Sequence, residues 1–308
     1  MQVSPYFSCL IVLKQSGALI RRSRMLSRSM SSVSRCPHYV DGLAQYARQN
    51  FKGLVRTTDG DALKQRNLKS PLKAPRIWLN GRHKIHPRDP ANTLGWFMKQ
   101  SENNGPNSAF YFICGRTDAS KDALYDPEMP QIRKLMREIH QRGHEIGLHP
   151  SYNTYDRPQE IVREAKRLRK VCAEEGIEQG EWGGRMHFLR WDQAVTLNAW
   201  SDAGMVYDST LSYADRPGFR CGTCFEYPAF DVVNERPLPV RVSPLIAMEC
   251  TVMAPRYMDL GTGEAAAVKF AQLKEACRAV DGCFTLLWHN SQLDTAAERG
   301  LYQHVIAH

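Results

Sequence analysis

The sequence predicts an α/β fold, a distorted or incomplete (β/α) barrel, and three observations predict it. From about residue 90 onward, stretches of helical periodicity alternate with short apolar strands. Glycines fall where several of these helices must stop, as a left-handed C-terminal residue requires. Three of the strands end on a histidine or an arginine followed by polar residues, which is how α/β folds present reactive side chains at one end of a sheet. A chain of 308 residues with 43% apolar content can bury one large core of this kind.

The elements follow in order. Thr93 to Asn103 reads as a helix stopped at Gly105, and Ala109 to Ile113 as a strand. Pro130 to Arg142 is helical, with Ile132, Leu135, Met136 and Ile139 at helical spacing and Gly143 as its stop. Glu145 to His149 is a strand. A helix begins near Asp156, with Pro158 in its first turn, and ends near Gly176. Arg185 closes the next strand, Gln193 to Ala203 is a helix stopped by Gly204, and Met205 to Asp208 is strand-like. Arg216 to Pro239, rich in proline, aromatics and glycine, reads as a loop. Ala265 to Val280 is helical, Phe284 to His289 is a strand, and Leu301 to Ala307 is a short helix. No internal repeat is visible.

The stretch Gly143-His144-Glu145-Ile146-Gly147-Leu148-His149-Pro150-Ser151-Tyr152-Asn153 is the centre of the candidate site. It approximates the HExxH pattern of zinc peptidases but is one residue too long. On a helix that offset turns the second histidine roughly 140° from the first, and on a strand it sends the two to opposite faces. His144 and His149 therefore cannot share an ion, and a peptidase built on them fails. His149 and Asn153 are four apart, a spacing that one tight turn after a strand can bring around a cation. Two further strand ends carry polar groups. Phe284 to His289 alternates so that Leu287 and His289 share a face, and Arg185-Met186-His187-Phe188-Leu189-Arg190-Trp191 follows a glycine-rich strand start.

These residues resemble the polysaccharide deacetylase family, carbohydrate esterase family 4, in particular its divergent bacterial branch found with surface-polysaccharide genes. The likeness spans about residues 88 to 303. It rests on Ser108-Ala109-Phe110-Tyr111-Phe112-Ile113, Gly143 to His149, Arg185 to Phe188, Tyr207-Asp208-Ser209 and Leu287-Trp288-His289. The resemblance implies a barrel of the deacetylase type, a divalent metal, zinc by its ligand types, and a sugar or glycan substrate. It makes His149 a metal ligand and places Asn153 where the family has a second histidine. It gives Arg185 the orientation of the catalytic carboxylate, Phe188 a backbone N–H for the oxyanion, and His289 the role of general acid. Asp208, Trp191 and Tyr152 are the expected substrate contacts. Amide hydrolysis needs this set: a metal to polarise the carbonyl, a carboxylate base and an acid for the leaving amine.

One part of the pattern is missing. The family's first strand ends in an aspartate-bearing motif, and nothing ahead of Ala109 matches it well. Asp41 follows Cys36-Pro37-His38-Tyr39-Val40, and Asp59-Gly60-Asp61 sits in a polar, lysine-rich stretch. The expectation is a deacetylase-like hydrolase weakened in activity and stability, with nothing before about residue 40 forming barrel structure. The alternative is a non-catalytic carbohydrate-binding or scaffold protein that keeps the fold. Three segments follow: a leader over 1–40, an unassigned stretch over 41–87, and the barrel domain over 88–308.

The formal charge of +9 does not point to nucleic acid. Six basic residues and no acids lie in residues 1–40, which leaves an ordinary +3 for the rest. That leader resembles a mitochondrial transit segment. Nine cysteines, odd in number and scattered, fit free thiols in a reducing compartment, so a cytoplasmic location is expected alongside the transit-like leader. Cys221-Gly222-Thr223-Cys224, a CxxC without a second pair, reads as loop. No stretch reaches the ~20 apolar residues of a membrane span. The sequence leaves the oligomeric state open.

Overall fold

The computed structural model describes residues 92–105 and 108–307, together with the backbone of Cys36–Tyr39. Cys36–Tyr39 form β1. Leu94–Asn104 form α1, closed by Gly105 at φ 84°. Ser108–Ile113 form β2, Pro130–Gln141 α2 and Glu145–His149 β3. Ile132, Leu135, Met136 and Ile139 are all buried on α2, and Gly143 turns the chain into β3 at φ 77°. Pro158–Glu174 form α3, Gly183–Gly184 β4, Thr196–Asp202 α4 and Tyr207–Asp208 β5. Tyr227–Asp231 form β6, Arg236–Val242 β7, Ala247–Met248 β8 and Glu249–Met253 α5. Glu264–Arg278 form α6, Leu286–His289 β9 and Ala296–Ile306 α7.

The described strands make one sheet in the order β6-β7-β5-β4-β3-β2-β1-β9-β8, parallel throughout except for the β6–β7 pair. The α/β class and the repeated βα units of the sequence reading are present. Among the described residues β6 and β8 are the edges of an open sheet, and no pairing closes it into a barrel.

Two expectations about the chain are corrected. The first strand is not missing: Cys36–Tyr39 pairs with β2 on one side and with β9 on the other, so the sheet begins before residue 40. Asp41, Asp59 and Asp61 lie outside the described residues. The supposed loop Arg216 to Pro239 contains β6 and runs into β7, whose Leu238, Val240 and Val242 are buried at every second position. Pro237 and Pro239 fall on the exposed alternate positions of that strand, so the hydrophobic face survives the prolines that suggest a loop.

Strand alternation divides the core. Phe110, Phe112, Ile146, Leu148, Leu286 and Trp288 pack toward the helices in the main cluster. Ala109, Tyr111, Tyr207 and Leu287 form a smaller cluster on the other face with Leu245 and Met248. Gly147 and Gly183 make room there. A Cβ on Gly147 would stand 2.4 Å from the Tyr111 ring, and one on Gly183 would stand 2.0 Å from the Tyr207 ring. The two tyrosines lie over these gaps with their hydroxyls 3.1 Å apart. Cys221-Gly222-Thr223-Cys224 is loop, as the sequence reading has it, with the two cysteine side chains buried at 8% and 4% exposure. The described cysteines are free thiols. No helix among the described residues is long and apolar enough to cross a membrane.

Candidate active site

Because β1, β2, β3, β4, β5 and β9 run parallel, their carboxyl ends gather on one edge of the sheet. His149 ends β3 there and is 1% exposed. Its Nδ1–H donates to the Arg185 carbonyl at 2.6 Å, and the Arg185 N–H donates to the Leu148 carbonyl at 3.0 Å, so the ends of β3 and β4 hold one another. Burial keeps His149 well below the usual histidine pKa, and charge on His187, Arg185 or His289 acts in the same direction.

Past β4 the chain makes a 3-10 turn, His187–Leu189, in which Phe188 and Leu189 take φ 57° and 54°. Side chains there cost roughly 1–3 kcal/mol each, a strain that clusters at functional sites. The turn brings His187 Nδ1 to 2.8 Å from His149 Nε2, while His187 Nε2–H donates to the Lys121 carbonyl at 3.1 Å. It also leaves Phe188 56% exposed, edge to face with Tyr152 at 5.2 Å.

A second pair stands at the ends of β8 and β9. Glu249, fully buried at the start of α5, accepts from His289 Nδ1, and the His289 side chain is 19% exposed. Cys250 lies beside them, and one ligating atom from each of Glu249, Cys250 and His289 falls within 4.8 Å of the others. Burial, then the neighbouring Glu249 carboxylate, pushes the Cys250 thiol up to about 12.

The loop after His149 is fixed from below and from the side. Glu164 of α3, 1% exposed, accepts from the Ser151 N–H at 2.9 Å and the Ser151 hydroxyl at 2.5 Å. Gly115 lets it reach, since a Cβ there would stand 1.9 Å from Glu164 Oε1. Asp122 takes the N–H groups of Thr117, Asp118 and Tyr152, each at 2.7 Å. Arg190 stacks over Tyr152 and Tyr155, 4.3 and 3.9 Å from the ring centres, and donates to the Tyr152 carbonyl and Asn153 Oδ1, each at 3.0 Å.

Solved structures align with this chain over most of its length. A polysaccharide deacetylase from Mycobacterium smegmatis matches with a TM-score of 0.51 and 14% identity, over 91% of this chain and 85% of that one. The chain has a polysaccharide deacetylase-type fold. An allantoinase (TM-score 0.48, 12% identity, 90% of this chain and 83% of that one) and a Pseudomonas aeruginosa PAO1 polysaccharide deacetylase (0.46, 14%, 90% and 84%) also align. No family model matches the chain, and no curated protein matches it in sequence.

Within this deacetylase-type fold the residues anticipated from sequence separate into groups. His149, Arg185, Phe188, Tyr152 and His289 gather at the carboxyl edge, and His144 faces away on the helix side, against Phe110 at 5.7 Å. Asn153 does not join His149. Its amide donates to the Thr117 carbonyl at 3.1 Å and its oxygen is held by Arg190, in a turn that Asp122 and Thr117 set through their own bonds to Tyr152 and Asn153. Asp208 is not a surface for sugar either. It is fully buried, its carboxylate accepts from the Thr210 N–H and hydroxyl, and burial raises it to about 6. Arg185, also buried, donates to the Ser209 carbonyl at 2.5 Å and the Ser209 hydroxyl at 2.7 Å. Trp191 is half-buried against the main core. Sequence reasoning missed Glu249 and gave His187 no role. The apolar run Leu245-Ile246-Ala247-Met248 ending on Glu249 has the same form as the other polar strand ends, and is the pattern that finds it.

The fold family implies a divalent metal. His149 fits one: a buried imidazole whose second nitrogen is tied to a backbone carbonyl is the usual arrangement of a metal-bound histidine. Asn153 fits poorly, since its oxygen faces the Arg190 guanidinium at 3.0 Å, whose positive charge opposes a cation there.

Proposed function

We propose that this protein is a metal-dependent hydrolase that removes an N-acyl group from a sugar or glycan. The observation that carries the reading is the presence of two differently equipped histidines, His149 on a carbonyl and His289 on a buried carboxylate, on one edge of a deacetylase-type sheet. We read the open strand order as an incomplete barrel with its mouth at this edge. A divalent cation at His149, zinc by ligand type, supplies polarisation of the acyl carbonyl and activation of a water. Glu249 fixes the His289 ring through Nδ1–H, so that Nε2 is the atom that takes the proton released by the attacking water and passes it to the leaving amine. The strained turn offers the Phe188 backbone N–H to the oxygen on which charge develops. Tyr152 and the exposed Phe188 ring form an aromatic rim against which a pyranose ring can lie. The Mycobacterium smegmatis structure that aligns carries the name of a deacetylase, in keeping with this class.

The test is acetate release from N-acetylated hexosamine oligomers by the zinc-loaded protein. His289→Ala is expected to lower kcat by about 10²- to 10⁴-fold, the scale of a positioned acid, and Glu249→Gln to lower it in the same direction. Circular dichroism should show both variants folded. A folded His289→Ala protein that keeps the parent rate would reject the assignment.

A further inference from the structure

Deepening the reading above, and resting on its metal, we infer that His187 supplies the second protein ligand to the cation at His149. The hydrogen bonds carry this. The carbonyls of Arg185 and Lys121 can only accept, so His149 carries its hydrogen on Nδ1 and His187 carries its hydrogen on Nε2. In two neutral rings the remaining nitrogens, His149 Nε2 and His187 Nδ1, then both present lone pairs, and they stand 2.8 Å apart. Lone pairs at that distance repel unless a positive centre lies between them, either a proton or a metal ion.

At 2.8 Å the pair holds a proton in the metal-free protein, and the way the two rings are held suits them to a metal ion that displaces it. Each ring has its far nitrogen held by a backbone carbonyl, which fixes its tautomer and aims the near nitrogen at a common point. The rings meet at 73° rather than stacking. Two zinc–nitrogen bonds of about 2.0–2.1 Å at a tetrahedral angle separate their nitrogens by roughly 3.3 Å. The pair needs to open by only about half an ångström from its 2.8 Å, within reach of a three-residue turn. Phe188 and Leu189, both at positive φ, complete the turn that carries His187. Asn153, which the spacing rule offers for this position, is committed to Arg190 and Thr117. His187 takes the place of the absent histidine from the turn after a different strand.

Zinc titration of the metal-free full-length protein, against a competing chelator, tests this. His187→Gln and His149→Gln should each weaken zinc binding by at least about tenfold, while Asn153→Ala stays within about twofold. Cys250→Ser should also stay near the parent value, because the Glu249, Cys250 and His289 group is a separate set of ligand atoms. Cobalt(II) in place of zinc should give no thiolate charge-transfer band. If His187→Gln does not fold, nitrogen-15 NMR of the histidine-labelled parent decides: zinc should shift Nδ1 of His187 and Nε2 of His149 together. Unchanged affinity in folded His187→Gln, or a thiolate band that Cys250→Ser removes, would overturn the inference. Deacetylation that needs His149 but not His187 would overturn it while leaving the proposed function standing. Zinc held by both histidines in a protein that releases no acetate would do the reverse.

Discussion

Glu164 shows what a single residue contributes at this site. Its carboxyl lies beneath the loop that follows His149, and burial raises it from the ordinary 4.5 to about 7, against the opposing pull of its two bonds from Ser151. A carboxyl whose folded pKa lies above its unfolded one favours folding most below the unfolded value. That contribution is lost as pH rises from about 4.5 to about 7. The shift corresponds to about 3 kcal/mol. Denaturant unfolding near pH 5 and near pH 8 should therefore show the parent losing about that much relative to Glu164→Gln as the pH rises. Parallel pH curves for the two proteins would mean that the buried carboxyl does not titrate in this way. Glu164 is illegible in the sequence, where it sits among the charges of an amphipathic helix. Only the missing side chain at Gly115 lets it turn inward. His149 and His289 were legible because each ends an apolar strand. Asn153 misled because sequence spacing says nothing of Arg190, whose guanidinium takes the amide oxygen first.

At the scale of elements, periodicity located most of the helices and the longer strands, and failed where elements are short or rich in proline. β4, β5 and β8 are two residues each, and β1 is four residues containing a proline, too little for alternation to register. These short strands are defined by their neighbours, since β1 lies between β2 and β9 and β4 between β3 and β5. The glycines of β3 and β4 do positional work within them. Gly183→Ala would drive a Cβ into the Tyr207 ring, which provides all three of its nearest atoms. Overpacking of this kind costs about 1–3 kcal/mol. Adding Tyr207→Ala should remove the clash, so the double variant should lose less stability than the two single losses combined. Strict additivity in urea unfolding would show that the ring moves aside at no cost.

For the molecule as a whole, the sheet brings together groups distant in sequence: His149 from β3, His187 from the turn after β4, and His289 with Glu249 from β9 and the start of α5. Fold class and the gathering of polar groups at the carboxyl ends of the strands were readable from residue pattern. The division of labour among the histidines was not, because it depends on which carbonyl or carboxylate each ring meets. The +9 charge remains peripheral to this arrangement, with the six basic and no acidic residues of the first 40 accounting for most of it. The central claim is cation-dependent release of an N-acyl group at this edge, and acetate release before chelation, after chelation and after return of zinc measures it most directly. Acetate should appear from N-acetylated hexosamine oligomers in the first and third states and not in the second. Zinc-loaded protein that binds the oligomers and releases no acetate would contradict it, and would make the chain a carbohydrate-binding protein on a deacetylase-type fold.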